Sequence, residues 1–362
     1  SCAIFGKDGK VMNVCTEGPS FDAEWVDWDK MAPSCPAIQL PKSVKKINNP
    51  MRIILYGQER RRLDLKSPIL PASGCLSIQS IEISGMNTKL FGAGVTKGVT
   101  LQPRAGNPTP RVCEVQSGMI NSIGLQNLGL EVFINQELPR WLELFPKVIV
   151  NISGSTIEEY VEIAEKLSGT GIAAMEVNIS CPNINAGKML FGVSPRLTRE
   201  LVKATRKAAP NMFIIVKLTP YAGFMVIDVA KAAVRAGADC IAFGNTYPSM
   251  AIDVHALMPK IGVNFGGQSG SGIHNLSVKT VFDLTQARLG VPIIGIGGVD
   301  GWEGAAEFIL AGASAVGVGT ELLNNPHNCV KIHESFLKWI KFHKLAWIGD
   351  LVGKVRLLNT QQ

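Results

Sequence analysis

Eight short runs of apolar residues, separated by stretches long enough to hold helices, restrict this chain more than any other feature. They are Pro68 to Ala72, Ala93 to Thr96, Lys147 to Ile152, Ala174 to Ile179, Met212 to Leu218, Cys240 to Gly244, Pro292 to Ile296 and Ala315 to Val318. None alternates apolar with polar, so each reads as a strand covered on both faces, as in a parallel sheet. The prolines of the first run leave an irregular segment as its alternative. Amphipathic stretches between the runs, at Ser155 to Leu167, Pro195 to Ala208, Val226 to Ala236 and Gly301 to Ala311, read as helices. Ser155-Thr156-Ile157-Glu158-Glu159 places a capping hydroxyl before acids in a first turn, which is a helix start. Repeated strand–helix units in a chain of 362 residues predict an α/β fold, a TIM (β/α)8 barrel.

Each run ends in polar residues or glycine. In order the positions are Ser73-Gly74, Lys97, Asn151, Asn178 with Cys181 and Asn183, Lys217, Asn245-Thr246, Gly297-Gly298 and Gly319-Thr320. Active sites of this fold form at the C-terminal ends of the strands. Two lysines and four asparagines there are costly to bury unless a ligand satisfies them. Cys181 stands between the carboxamides of Asn178 and Asn183, beside Pro182. A thiol so placed can take a proton from a bound substrate; a buried, inert cysteine at a strand end is the alternative. After the seventh and eighth runs, Gly295-Ile296-Gly297-Gly298 and Gly319-Thr320 let backbone amides approach an anion. Gly270-Ser271-Gly272 adds a third such cluster, and tight turns are the alternative for each. The glycine spacing is not that of a dinucleotide-binding fingerprint.

Composition excludes other classes. Hydrophobic residues make up 46% and charged residues 18%, which fits a globular protein. The net charge of +7 comes from scattered Lys and Arg without interleaved aromatics, so nucleic acid is not an expected partner. Arg60-Arg61-Arg62, the one tight basic run, reads as a solvated face. No apolar run approaches the ~20 residues of a membrane span, and Ser1 to Lys7 has no signal-peptide pattern. The eight cysteines are widely spread and read as reduced thiols, so a cytoplasmic protein is expected, with no metal site of its own.

From about Arg61 onward the sequence resembles the dihydroorotate dehydrogenase family, in particular catalytic subunits of the cytosolic class with a cysteine base. The resemblance is carried by Pro71-Ala72-Ser73-Gly74, Thr96-Lys97, Arg104 to Arg111, Asn121 to Asn127, Asn178 to Asn183, Lys217, Asn245-Thr246, Gly266 to Gly270, Gly297-Gly298 and Gly319-Thr320. It implies FMN on the barrel mouth, with its phosphate between the loops after strands seven and eight. The implied cofactor positions are Ala72, Ser73, Lys97, Asn151, Asn178, Lys217, Gly244, Gly270, Gly297, Gly298, Gly319 and Thr320. The implied substrate positions are Lys97, Asn121, Ile123, Gly124, Leu125, Asn178, Asn183, Asn245 and Thr246, with Cys181 removing the C5 proton of dihydroorotate as hydride leaves C6. Carboxamides suit an imide-like ring because they both donate and accept. A thiol base with an ordinary pKa of about 8.5 predicts turnover that rises with pH. Another dihydropyrimidine, such as dihydrouracil, is the alternative substrate; a carboxylate on the ring would use Lys97.

The first fifty residues differ in character, and a break near 50 is expected: an N-terminal extension over 1–50, then the barrel over 51–362. Cys2 to Asp29 resembles the end of the iron–sulfur domain of the electron-transfer subunit that partners this class. Only Cys2 and Cys15 match cluster ligands there, and Cys35 does not fit, so this chain alone is not expected to build a [2Fe–2S] cluster. The tail reads equally as the trailing part of a longer fused protein or as an irregular extension. The resemblance implies a partner carrying FAD and [2Fe–2S] that passes electrons to NAD, and a homodimer or heterotetramer. Fumarate or a quinone stays open as the final acceptor.

Overall fold

The computed structural model describes residues 3–5, 11–13, 49–180 and 191–358. The chain divides into two compact units, Ser1–Val44 and Lys45–Gln362. In the first, strands Ala3–Phe5 and Val11–Asn13 pair antiparallel, with Ile4 opposite Met12. Cys2, Cys15 and Cys35 lie outside the described residues.

The second unit is built on eight strands in one sheet: β1 (Ile69–Pro71), β2 (Gly94–Val95), β3 (Val148–Ile152), β4 (Ala174–Asn178), β5 (Ile214–Leu218), β6 (Cys240–Phe243), β7 (Ile293–Ile296) and β8 (Ala315–Val318). Each is the core of one of the eight apolar runs. The order β1-β8-β7-β6-β5-β4-β3-β2 has every pair parallel, as in a barrel. The ring closes between β1 and β2, where Gly92 N donates to Ile69 O at 2.9 Å and Ser73 Oγ to Thr96 O at 2.8 Å. A Cβ on Gly92 would stand 2.2 Å from Ser67 O, so the seam requires glycine. The prolines around β1 do not prevent its pairing, because it is a short strand at the seam.

Helices cover the ring: α1 (Ile78–Ser84), α2 (Leu138–Leu144), α3 (Ile157–Leu167), α4 (Pro195–Ala208), α5 (Val226–Arg235), α6 (His274–Gln286), α7 (Trp302–Ala311) and α8 (Asn328–Phe342). In α3 the cap is Thr156, whose side chain accepts from Glu159 N, while Ser155 N donates to the Glu159 carboxylate at 2.5 Å. Tyr160, Ile163, Ala164 and Leu167 form its buried stripe. In α4, Ser194 caps and Pro195 sits at the first helical position, where its missing N–H has no cost.

Two additions close the ends of the barrel. At the N-terminal ends of the strands, the antiparallel hairpin Ile53–Tyr56 and Arg62–Leu65 sends Leu55, Leu63 and Leu65 into the interior, onto Ala174, Cys240 and Ala315, the first residues of β4, β6 and β8. Fully buried Asp239 ties this hairpin down. It accepts from Gln58 N at 3.0 Å, Ile214 N at 2.9 Å, Arg61 Nε at 2.9 Å and Arg206 Nη2 at 2.5 Å. Arg61 therefore corrects the expectation of a solvated basic face: Arg60 and Arg62 are exposed, but Arg61 is mostly buried against a carboxylate. At the opposite end, excursions after β2 and β6 build a four-stranded antiparallel sheet in the order Tyr247–Ser249, Gly266–Ser269, Gly118–Asn121, Val112–Val115. Among the described residues, no helix is long and apolar enough to cross a membrane.

Candidate active site

A cavity of about 490 Å³ opens at the C-terminal ends of the strands, within the range of small-molecule and cofactor sites. Every barrel strand contributes to its wall. Ala72 and Ser73 follow β1, and Lys97 follows β2. Asn151 lies on β3, Asn178 ends β4 and Lys217 lies on β5. Gly244, Asn245 and Thr246 follow β6, Gly297 and Gly298 follow β7, and Gly319 and Thr320 follow β8. The four-stranded sheet and its flanking loops complete the wall with Asn121, Ile123, Leu125 and Gly270. Asn151 and Lys217 sit one residue inside their strands instead of past them, because the ladder continues through Ile152 and Leu218.

Of the sequence-predicted site residues that are described, Gly124 alone is not on this wall. Its φ is +72°, and a Cβ there would meet Asn107 Oδ1 at 2.5 Å, so it serves the turn between Ile123 and Leu125. Cys181 and Asn183 lie outside the described residues.

A polar, almost fully buried group lies at and just beneath the cavity wall. Asn151, Glu176 and Lys217 are 1%, 3% and 5% exposed. Asn151 Nδ2 donates to Glu176 Oε1 at 2.6 Å, and Lys217 Nζ donates to the same oxygen at 3.4 Å. Asn151 Oδ1 is buried without a partner among the described residues. Asn178 is braced on both sides: its Oδ1 accepts from Ser180 N at 3.0 Å, and its carbonyl accepts from Tyr160 Oη at 2.6 Å. Burial lowers the Lys97 ammonium below the usual lysine range, Arg111 pushes it further, and Glu137 opposes both. Cys75, also on the wall, is the reverse case for a thiol: burial raises it to about 11, with Lys217 pulling it down.

Glycines form the far edge. Gly297 has φ +138°, and Ser277 Oγ fills the space behind it, 2.4 Å from where a Cβ would be. His274 pins this turn, with Nδ1 2.9 Å from Gly297 O and Nε2 2.6 Å from Glu307 Oε2. At Gly319 a Cβ would meet only Ala72 Cβ at 3.5 Å and Cys75 Sγ at 3.6 Å, so its absence leaves room on the wall.

Sequence reasoning missed Glu176, Cys75 and Gln126. For Glu176 a signal existed, a carboxylate inside an otherwise apolar strand; Cys75 and Gln126 carried none. Among the described residues, no group of three or more His, Cys, Asp or Glu is placed to hold a metal ion. A second cavity of about 380 Å³, beside Arg61, Ile172 and Phe213, lies at the N-terminal ends of the strands, the end that in barrels bears on stability.

The model of the dihydroorotate dehydrogenase family matches residues 58–340. The catalytic subunit of dihydroorotate dehydrogenase B (NAD(+)) from Alkaliphilus oremlandii is 39% identical over 293 residues, covering 81% of this chain and 96% of that protein. The subunit of the same name from Pelobacter propionicus is 41% identical over 292 residues, covering 80% and 95%. That from Bacillus pumilus is 40% identical over 294 residues, covering 81% and 94%. With a family match over most of its barrel and relatives aligned along nearly their whole length, the chain belongs to the dihydroorotate dehydrogenase family.

Proposed function

We propose that this chain oxidises dihydroorotate to orotate in pyrimidine nucleotide biosynthesis, with FMN as the first electron acceptor. The observation that carries the reading is one cavity walled by Lys97 and Lys217 together with the carboxamides of Asn121, Asn151, Asn178 and Asn245. Two cations suit two anions, the substrate carboxylate and a reduced flavin. Carboxamides suit the alternating N–H and C=O groups of a pyrimidine and of a flavin imide.

The residues fit FMN. The orphaned Asn151 Oδ1 needs an N–H donor, which the flavin imide carries. The edge made by Gly297, Gly298 and Gly319 lets main-chain amides approach a phosphate. In this reading Ala72, Ser73, Asn151, Lys217, Gly244, Gly270 and Thr320 complete the cofactor contacts. When bound, FMN supplies the acceptor for the hydride that leaves C6.

The remaining roles fall to the chain. Lys97 and the main chain of Asn121 to Leu125 hold the carboxylate. Asn178, Asn183, Asn245 and Thr246 orient the ring, and Asn178 is prepared for this by Tyr160 and Ser180. Cys181, as thiolate, takes the C5 proton and becomes the thiol, and the electron pair of that C–H bond forms the new C5=C6 double bond. The name of the relatives supports a separate electron-transfer subunit with NAD as final acceptor. Such a subunit would carry FAD and [2Fe–2S], in a cytoplasmic assembly of the barrel homodimer or heterotetramer.

The test is an anaerobic titration of the yellow holoprotein with dihydroorotate, following the visible band of the oxidised flavin. Stoichiometric bleaching is expected. Bleaching by dihydrouracil but not by dihydroorotate would move the reading to an uncharged ring, and protein that takes up no FMN would overturn it.

A further inference from the structure

Glu176 does not reach the cavity wall, yet both of its partners do. It lies on β4 opposite Asn151 of β3, and two residues before Asn178, which lies opposite Lys217 of β5. Residues two apart on a strand share a face, so all these side chains point into the barrel. One oxygen, Oε1, receives both the Asn151 amide and the Lys217 ammonium.

A carboxylate accepts only. Facing Glu176, Asn151 must turn its Nδ2 inward, which leaves Oδ1 as the group beside Gly98 on the cavity wall, where a Cβ on Gly98 would approach it to 3.1 Å. Without the carboxylate, no other bond from the Asn151 side chain to the described residues would stop the amide from rotating by half a turn and offering a donor instead. The same carboxylate balances the charge of Lys217, which is 5% exposed.

We propose that Glu176 is a positioning residue that fixes Asn151 as an acceptor toward the bound flavin and holds Lys217 as a partly neutralised cation, and so sets how strongly the site favours reduced over oxidised FMN. This rests on the reading of the cavity as a flavin site. A lone ammonium under the ring would stabilise the negative charge of the reduced flavin strongly. Glu176 moderates it, keeping the potential low enough to pass electrons onward.

The experiment compares the FMN-loaded full chain with Glu176→Gln, Lys217→Met and the double variant. Two quantities are read: the two-electron potential, by equilibration with a dye of known potential, and the thermal midpoint. Glu176→Gln should bind reduced relative to oxidised FMN about tenfold more tightly, a rise of about 30 mV for a two-electron couple. Lys217→Met should shift the potential down, and in its background Glu176→Gln should shift it less than it does beside Lys217, because only the part carried through Asn151 remains. The double variant, with neither buried charge, should melt above Lys217→Met, which leaves a carboxylate unpaired.

A flavin-loaded Glu176→Gln with unchanged potential, or one whose full shift persists undiminished without Lys217, overturns the proposal and leaves the flavin reading standing. If Glu176→Gln fails to fold, the melting comparison decides: a double variant no more stable than Lys217→Met also overturns it. Wild-type protein that takes up no FMN would overturn the flavin reading first, and the proposal with it.

Discussion

Lys97 illustrates how much one environment alters a residue's chemistry. Its ammonium is lowered from 10.5 by burial first and Arg111 second, with Glu137 pulling the other way. A lysine with a lowered pKa loses its charge at a lower pH than an exposed one. The KM for dihydroorotate should therefore climb with pH starting below 10.5. Glu137→Gln removes the influence that raises Lys97, so the climb should begin at still lower pH. Profiles of KM against pH that coincide for the two proteins would sink this coupling. Lys97→Met should raise KM roughly ten- to a hundredfold at neutral pH, from about 1.5–3 kcal/mol for a hydrogen bond to a charged group. The pH profile also separates Cys75, on the cavity wall, from Cys181, the proposed base. Cys75, held at about 11 by burial, stays protonated through the working range. The alkaline limb of the rate profile should thus survive in Cys75→Ala and vanish in Cys181→Ser, whose turnover should fall by roughly 10²-fold or more. Loss of that limb in Cys75→Ala would reassign the base.

At the scale of elements, the barrel depends on its shortest seam. β1 and β2 meet through one backbone hydrogen bond from Gly92 and one from the side chain of Ser73. Gly92→Ala puts a methyl into the space of Ser67 O and should cost about 1–3 kcal/mol, read as a lower urea midpoint. Because Ser73 and Lys97 leave the same two strands, FMN affinity should fall with it; unchanged stability and affinity would show that the seam relaxes freely. The strands themselves were legible because burial on both faces leaves apolar runs, and the cavity wall was legible because polar residues ending such runs have few structural explanations. The hairpin Ile53–Tyr56 and Arg62–Leu65 and the four-stranded sheet were not. Their strands are short, and the sheet pairs Gly267 with Asn121, residues far apart in sequence whose partnership no local pattern encodes. Glu176 was hidden for another reason: its role depends on which neighbours the barrel register brings to it, Asn151 on one side and Lys217 on the other.

The whole molecule divides its work between the two ends of one barrel. Polar groups at the C-terminal end are arranged toward a ligand, and one of the two cations there, Lys217, is held by the buried carboxylate of Glu176. At the N-terminal end the polar groups face one another. Asp239 accepts from two arginines and two main-chain amides, and those bonds join the closing hairpin, β5, β6 and α4. That network has no ligand to satisfy, so its removal should be felt in stability alone. Asp239→Ala leaves Arg206 partly buried without its counter-charge and Arg61 with only the exposed carboxylate of Glu59, and should cost about 3–5 kcal/mol. Asp239→Asn keeps the shape but only one of the two acceptor oxygens, turning an NH2 toward donors on the other side, and should cost a comparable amount. Below the melting range, kcat and the flavin potential of both variants should match the wild type, because the wall residues are carried by strand ends a barrel length away. A variant that melts like the wild type would show that the network carries no stability, and one that is stable but has lost turnover would show that the two ends are coupled and that the hairpin does more than close the barrel.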